Sequence, residues 1–283
     1  MPSEFSTRQI LVTLADGFAI NPSLHISVKT TKSRLSLPNS AKIEVYNVKA
    51  DTYKRLLTKQ HLTIEVDGKA IFKGKILNVT NDYMAASWKC SIYCSDIKAN
   101  PYQQPQFITI DKGTSNADVL GLMTAALSDA DLDLSAFSRC EESKGSLAKQ
   151  MVVEYQKEKD ILKAMQNVFK GCDKEVVKED GVVKILDNGS VPNAAAPLLF
   201  DRHLEPPKLS HKDIVVKVPI DTRVKLGLGF SIKSKSILKS LESPYTYENQ
   251  FRDQVYRISE YTHEVDNFTD AVATTTVKGL NFG

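Results

Sequence analysis

The chain has 283 residues, enough for two or three small domains, with 42% hydrophobic and 25% charged residues, the balance of an ordinary folded protein rather than a disordered one. Its formal net charge is only +3, and no basic block interleaved with aromatic residues stands out, so an electrostatic footprint for nucleic acid is not supported. No apolar run approaches the ~18 residues of a membrane span, and the N-terminus lacks the basic and apolar regions of a signal peptide; neither membrane insertion nor secretion is expected.

Residues 8–14 predict a first strand, and Leu24, Ile26 and Val28 alternate with polar neighbours as a second. Residues 30–39 are polar and end in Pro38-Asn39, which reads as a loop. Residues 41–48, Ala-Lys-Ile-Glu-Val-Tyr-Asn-Val, alternate again as a half-buried strand. A short helix carrying Tyr53, Leu56 and Leu57 follows. Residues 62–66 and 70–76 then predict a hairpin turned by Asp67-Gly68, because that dipeptide tolerates the positive φ of a two-residue turn. Residues 88–94 complete this β-rich segment, whose closely spaced strands suggest a closed or nearly closed barrel over residues 1–98. Trp88, the only tryptophan, falls in what reads as a core strand.

Two prolines and three glutamines at 100–106 mark a boundary. Residues 99–190 read as a small α+β domain. A strand lies at 107–110, and a helix opens with Ser115 as N-cap and Asp118 three residues on. Val119, Leu122, Met123 and Ala126 form its apolar face. A strand at 151–155 and a second helix with Ile161, Leu162, Met165, Val168 and Phe169 on one side follow, closed by Gly171. A hairpin at 174–186 turns on Asp180-Gly181. Residues 188–197 form a linker. The last segment, within 191–283, is β again, with strands at 214–218, 224–232, 254–265 and 271–278.

The fold class is therefore α+β, mainly β: two antiparallel barrel-like domains, 1–98 and 191–283, flank a helix-containing domain at 99–190. Chemistry-bearing patterns are sparse. Asp129, Asp131 and Asp133 copy the first positions of a Ca²⁺ loop, but Leu134 and Cys140 stand where its glycine and bidentate glutamate belong, so a solvated acidic loop is expected. Cys90 and Cys94 lie roughly 13 Å apart along a strand at ~3.3 Å per residue, too far to share a bond or an ion; with Cys140 and Cys172 they are expected to be free thiols. The five histidines form no metal pair, and most read as surface residues; His263 reads as a hydrogen-bonding residue within its strand. Gly227-Leu228-Gly229 precedes no helix and reads as a bulge rather than a nucleotide loop. No catalytic, metal or cofactor site is expected. Residues 231–249 form a long excursion rich in lysine, serine and tyrosine, and Lys233, Lys235, Lys239, Tyr245 and Tyr247 are its candidate partner contacts.

The ordered set at 41–48 and 71–76, the latter reading Ile-Phe-Lys-Gly-Lys-Ile, resembles the N-terminal barrel of phage tail baseplate hub proteins. The helix, helix and hairpin of the middle segment and the stretch Tyr261-Thr262-His263-Glu264-Val265-Asp266-Asn267 resemble later parts of that family. The resemblance implies a structural protein rather than an enzyme, needing no cofactor. It implies a homotrimer that joins the tail tube to the central spike and matches six-fold to three-fold symmetry around a DNA channel. Its partners would be the spike, the tube or tape-measure protein and other baseplate proteins, without sequence-specific nucleic-acid binding. It would be assembled in the host cytoplasm and reside in the virion. A baseplate cell-wall hydrolase with paired carboxylates and a β-rich carbohydrate-binding module are the alternatives, the latter disfavoured if Trp88 is buried. The trimer is expected to place two superposable barrels per chain about a pseudo-six-fold axis. Packing of residues 197–283 into one sheet with residues 1–98 would contradict that arrangement.

Overall fold

The computed structural model describes residues 8–34, 39–58, 60–84, 87–96, 105–127, 131–134, 145–155, 158–169, 174–187, 197–209, 213–233, 238–239, 255–268 and 273–281. The chain divides into two compact units, one made of Met1–Asp96 with Val191–Gly283 and the other of Ile97–Ser190. The protein is mainly β, with three helices among the described residues.

The first unit begins with β1 (Ile10–Leu14), β2 (Ile26–Ser33), β3 (Ser40–Tyr46), α1 (Ala50–Leu56), β4 (His61–Val66), β5 (Lys69–Met84) and β6 (Ser87–Ser95). Alternation drives these strands: Ile10, Val12 and Leu14, or Ile43 and Val45, turn inward while their neighbours face out. The inward residues share one core with Leu56 of α1, Phe72 and Cys90. Asp67 and Gly68 take φ of 50° and 75°, the left-handed pair that lets β4 and β5 close in two residues. The strand β2 is longer than its sequence suggests. Thr30 and Lys32, expected in a loop, continue its alternation and are fully buried, Lys32 with its ammonium 5.6 Å from the centre of the Tyr261 ring. Polarity concealed the strand because the residue that covers Lys32 lies more than two hundred positions away.

The same unit resumes with β12 (Leu198–Phe200), β13 (Lys208–Leu209), β14 (Asp213–Pro219), β15 (Gly229–Ile232), β16 (Leu238–Lys239), β17 (Tyr256–Asp266) and β18 (Ala273–Asn281). The strand expected from residue 224 starts only at Gly229. Residues before it turn, with Gly227 at φ 81° donating its N–H to the Ile258 carbonyl at 2.9 Å.

Among the described residues these strands belong to one sheet rather than to two separate barrels. One 13-stranded sheet runs β1-β4-β5-β6-β3-β2-β17-β18-β14-β13-β16, with β15 and β12 branching from β17. The seam is the antiparallel ladder between β2 and β17, from Glu260↔Ser33 to Asp266↔Ser27. This is the outcome set against two free-standing barrels per chain, and that arrangement is given up. The physical cause is edge pairing: an isolated β2 would leave a row of unpaired backbone groups, which β17 satisfies. No ladder among the described residues joins the ends of the path, so barrel closure is not seen either.

The two halves nonetheless repeat. Taken across the sheet, the first half reads β1-β4-β5-β6-β3-β2 and the second β12-β15-β17-β18-β14-β13. Each strand occupies the place its counterpart in chain order would predict. The ladders are antiparallel throughout except β12 with β15, which is parallel. Even the irregularities correspond: β5 slips register against β6 between Ile76 and Asn78, and β17 slips against β18 between Ile258 and Glu260.

The second unit holds β7 (Gln106–Ile110), α2 (Asn116–Ala125), β8 (Asp131–Asp133), β9 (Met151–Tyr155), α3 (Glu158–Val168), β10 (Lys174–Glu179) and β11 (Val182–Asp187). Ser115 caps α2, its hydroxyl accepting the Asp118 N–H at 3.2 Å. The buried face of α2 is Val119, Leu120 and Met123, while Leu122, expected inside, faces out. Ile161, Met165 and Phe169 of the α3 region complete this core with Val183 and Ile185. Asp180 and Gly181 form the second left-handed turn. Part of the expected acidic loop is instead strand: Asp131, Leu132 and Asp133 pair in parallel with β11. Gly171 lies outside the described residues.

Candidate interaction surfaces

Of the five candidate contacts, the structure places two. Lys233 is exposed directly after β15, its N–H donating to the Phe200 carbonyl at 3.0 Å and its carbonyl 3.2 Å from Nε2 of His203. Lys239 belongs to β16, paired in parallel with Leu209 of β13. Lys235, Tyr245 and Tyr247 lie outside the described residues. The start of the excursion is thus tied to the sheet, with β16 laid along its outermost strand. Leu199, opposite Ser231, and Leu204 are exposed beside it, an apolar contribution that alternation over so short a strand could not reveal.

A second surface lies at the far end of the β5–β6 ribbon. Val79, Cys90 and Ile92 of this ribbon are buried, but farther along the same side Tyr83 and Trp88 are 63% and 50% exposed, pairing across the strands with ring centroids 5.3 Å apart. The expectation that Trp88 is core is therefore wrong. Its parity is that of a core residue, but the ribbon runs past the core; β4 leaves β5 at Lys75, and β3 accompanies β6 only to Lys89.

The β2–β17 seam is the third feature. The His25 ring lies between Tyr46, stacked at 4.4 Å, and Phe268, at 5.0 Å, with Nε2 3.0 Å from the Asp266 carboxylate. Asn267 accepts the Ile26 N–H at 2.8 Å and donates to the Leu24 carbonyl at 2.9 Å. Lys29 pairs with Glu264 on the outer face. His263 is buried as a hydrogen-bonding residue, Nδ1 2.9 Å from the Thr275 hydroxyl. His25 is a half-buried stacking residue rather than a surface one.

Elsewhere the charges pair locally. The Lys42 ammonium, hydrogen-bonded to Glu44, holds that carboxylate below its usual range, and Lys89 adds to the effect. Glu44 in turn raises Lys42, and Asp213 raises Lys278 by the same kind of bond. Burial pushes the Cys90 thiol up to about 11 and the Cys94 thiol to about 12, the opposite of a reactive thiolate. Both are free; Cys140 and Cys172 lie outside the described residues. Among the described residues no cluster of three metal-capable side chains occurs, and no helix is long and apolar enough to cross a membrane.

No family model and no curated protein matches the sequence. Solved structures do. The tail protein from Neisseria meningitidis MC58 superposes with a TM-score of 0.65, covering 98% of this chain and 97% of that one at 9% identity. The chain has the fold of phage tail proteins. The 43 kDa tail protein of prophage MuSo2 from Shewanella oneidensis matches with a TM-score of 0.61, over 97% and 98% of the two chains at 9% identity. The E. coli c3393 protein, a type VI secretion component described as similar to the T4 tail proteins gp27 and gp5, matches at 0.57 over 96% and 77%, at 8% identity. This tail-protein fold contains the whole described architecture, middle unit included.

Proposed function

We propose that this chain is a structural hub protein of a phage or phage-like tail baseplate, joining the tail tube to the central spike around a DNA channel and carrying out no reaction of its own. The observation that carries the reading is the end-to-end likeness in fold to tail proteins. In this reading the chain acts as a homotrimer. Three copies, each with two repeated halves, present six similar units toward a six-fold tube and three chains toward a three-fold spike. The halves are fused through β2 and β17 rather than standing as separate barrels, and the count of six is kept. The excursion at 231–249 would meet other baseplate proteins, assembly would occur in the host cytoplasm, and the protein would reside in the virion tail.

The test is co-expression with the tube and spike proteins of the same tail. A complex containing three copies per spike trimer is the expected result. Failure to bind either partner, together with loss of turbidity of a peptidoglycan suspension, would replace this reading with that of a baseplate hydrolase. One observation favours a second reading: exposed Trp88 beside Tyr83 offers a ring on which a sugar could stack. Retention on a polysaccharide column that disappears in Trp88→Ala would support a carbohydrate-binding role.

A further inference from the structure

The sheet is not equally cohesive along its length. Where β3 joins β6, the inward pairs are apolar on both sides: Ala41 with Cys94, Ile43 with Ile92 and Val45 with Cys90, all buried. At the seam the inward pairs are Val28 with Val265, Thr30 with His263 and Lys32 with Tyr261, also buried. Only the first of these is apolar on both sides. The Thr30 hydroxyl is fully buried and has no hydrogen-bond partner among the described residues, so it gives up water without replacement. Lys32 carries its ammonium into the same interior, against the Tyr261 ring, and a cation is among the groups that lose most on leaving water. The contacts that span the seam on its outer face are polar too: Lys29 with Glu264, Thr31 with Thr262 at 3.3 Å between hydroxyls, and His25 with Asp266. They stand partly in solvent, where such contacts contribute little.

We propose that the seam is a joint within the chain. There β2 and β17 part while the ladders inside each half stay closed, and the two halves turn relative to each other without unfolding. Opening hands Thr30, Lys32 and His263 to water, which solvates them well, so the seam yields before the apolar ladders beside it do. The outer-face contacts re-form on closing and keep the edges of β2 and β17 from lying open to other chains. Neither the joint nor its test depends on the hub role.

The test is built into β2, because alternate residues of an antiparallel strand turn their backbone groups to different neighbours. The even-numbered residues face β17: the Ile26 carbonyl accepts the Asn267 N–H at 3.2 Å, and the Arg34 N–H donates to the Ser259 carbonyl at 2.9 Å. The odd-numbered residues face β3: the His25 carbonyl accepts the Tyr46 N–H at 3.0 Å. Hydrogen exchange of the full chain, resolved to single amides, therefore reads two ladders from one strand. Protection of Val28, Thr30 and Lys32 should be lower than that of Ser27, Lys29 and Thr31 by about tenfold or more. A smaller difference, or none, would mean that β2 leaves both neighbours together and would overturn the joint. Thr31 and Thr262 face each other on the outer side at a pair that exchanges no backbone bonds, a position that suits a cross-strand disulfide. In the double variant Thr31→Cys/Thr262→Cys, oxidation should raise the three even-numbered amides to the level of the odd-numbered ones, and reduction should restore the gap. Thr30→Val keeps the shape and removes the unpartnered hydroxyl; it should slow exchange of the same three amides severalfold and leave the others unchanged. If the bridged protein exchanges those amides as fast as the reduced one, the opening is not at the seam and the joint is wrong.

Discussion

At the scale of single residues, two glycines in ordered elements have opposite meanings. A Cβ on Gly74 would stand 2.6 Å from the Ser95 carbonyl oxygen and 2.7 Å from the Phe72 ring. The spacing Phe72-x-Gly74 thus has a steric cause: the ring lies over the bare backbone two residues along the strand. Gly74→Ala should destabilise the protein by about 1–3 kcal/mol, read as a lower denaturant midpoint at unchanged m-value. In α2 a Cβ on Gly121 meets nothing within 4 Å, and Gly121→Ala should stabilise by up to about 1 kcal/mol through helix propensity. A neutral or stabilising Gly74→Ala would mean that the packing described around Phe72 is wrong. The thiols at 90 and 94 give a pH prediction. Their pKa values are raised by burial, to about 11 and 12. The unfolded chain ionises first, so their contribution is intact below about pH 8.5 and is lost as the pH climbs from there through the folded values. Native protein at pH 8 should leave both unreacted with a thiol reagent that titrates them after unfolding.

At the scale of elements, the turns decide as much as the strands. Asp221 follows β14, where its N–H donates to the Thr275 hydroxyl and its carboxylate takes two bonds from the Arg223 guanidinium, at 2.9 and 2.7 Å. Burial raises its pKa, but the hydrogen bonds from Arg223 outweigh that and hold it below the ordinary carboxylate range. A depressed carboxylate stabilises the fold above its unfolded pKa and loses that contribution as the pH falls through the folded value. Wild-type stability should therefore drop below about pH 4 more steeply than that of Asp221→Asn, measured by melts across that range. At the seam, Asn267 satisfies the Ile26 N–H and the Leu24 carbonyl at once. Asn267→Ala should cost about 1–3 kcal/mol, because it leaves part-buried backbone groups without their partner. A neutral outcome would mean that water replaces the side chain and that the seam is held by its ladder alone.

At the scale of the molecule, the shared sheet makes a prediction about fragments. Residues 1–96 alone would expose the edge of β2 and the burial partner of Lys32 would be absent, so this piece should aggregate or remain loosely packed. Co-expressed with residues 191–283, it should be recovered as a soluble complex with native-like strand content by circular dichroism. A soluble, cooperatively melting 1–96 fragment would show that the first half is independent after all.

Much of this was legible from the chain alone, because it is local. The period of two in residues 10–14 and 41–46, the Asp-Gly pairs at 67–68 and 180–181, and the Ser115 cap are each set by a few neighbouring residues, and the elements follow from them. The mainly β character and the tail-protein likeness were readable for the same reason: they rest on the order of local patterns. What the chain could not disclose is which edge meets which. The pairing of β2 with β17 joins residues more than two hundred positions apart, and nothing in either strand names the other. That one pairing turned two expected barrels into a single sheet, carried β2 past its last partner in β3 at Thr31 to Lys32 and Ser33, and buried a lysine. Trp88 was hidden for a separate reason: it stands on the β5–β6 ribbon, and alternation tells which side a residue faces and not where the covering layer ends. Of the candidate contacts, Lys233 and Lys239 gained their setting only from the strands around them. The repeat of the two halves is likewise a matter of tertiary structure: strand order is preserved by backbone pairing, while the side chains that fill equivalent places, such as Tyr83 and Val265, are free to differ.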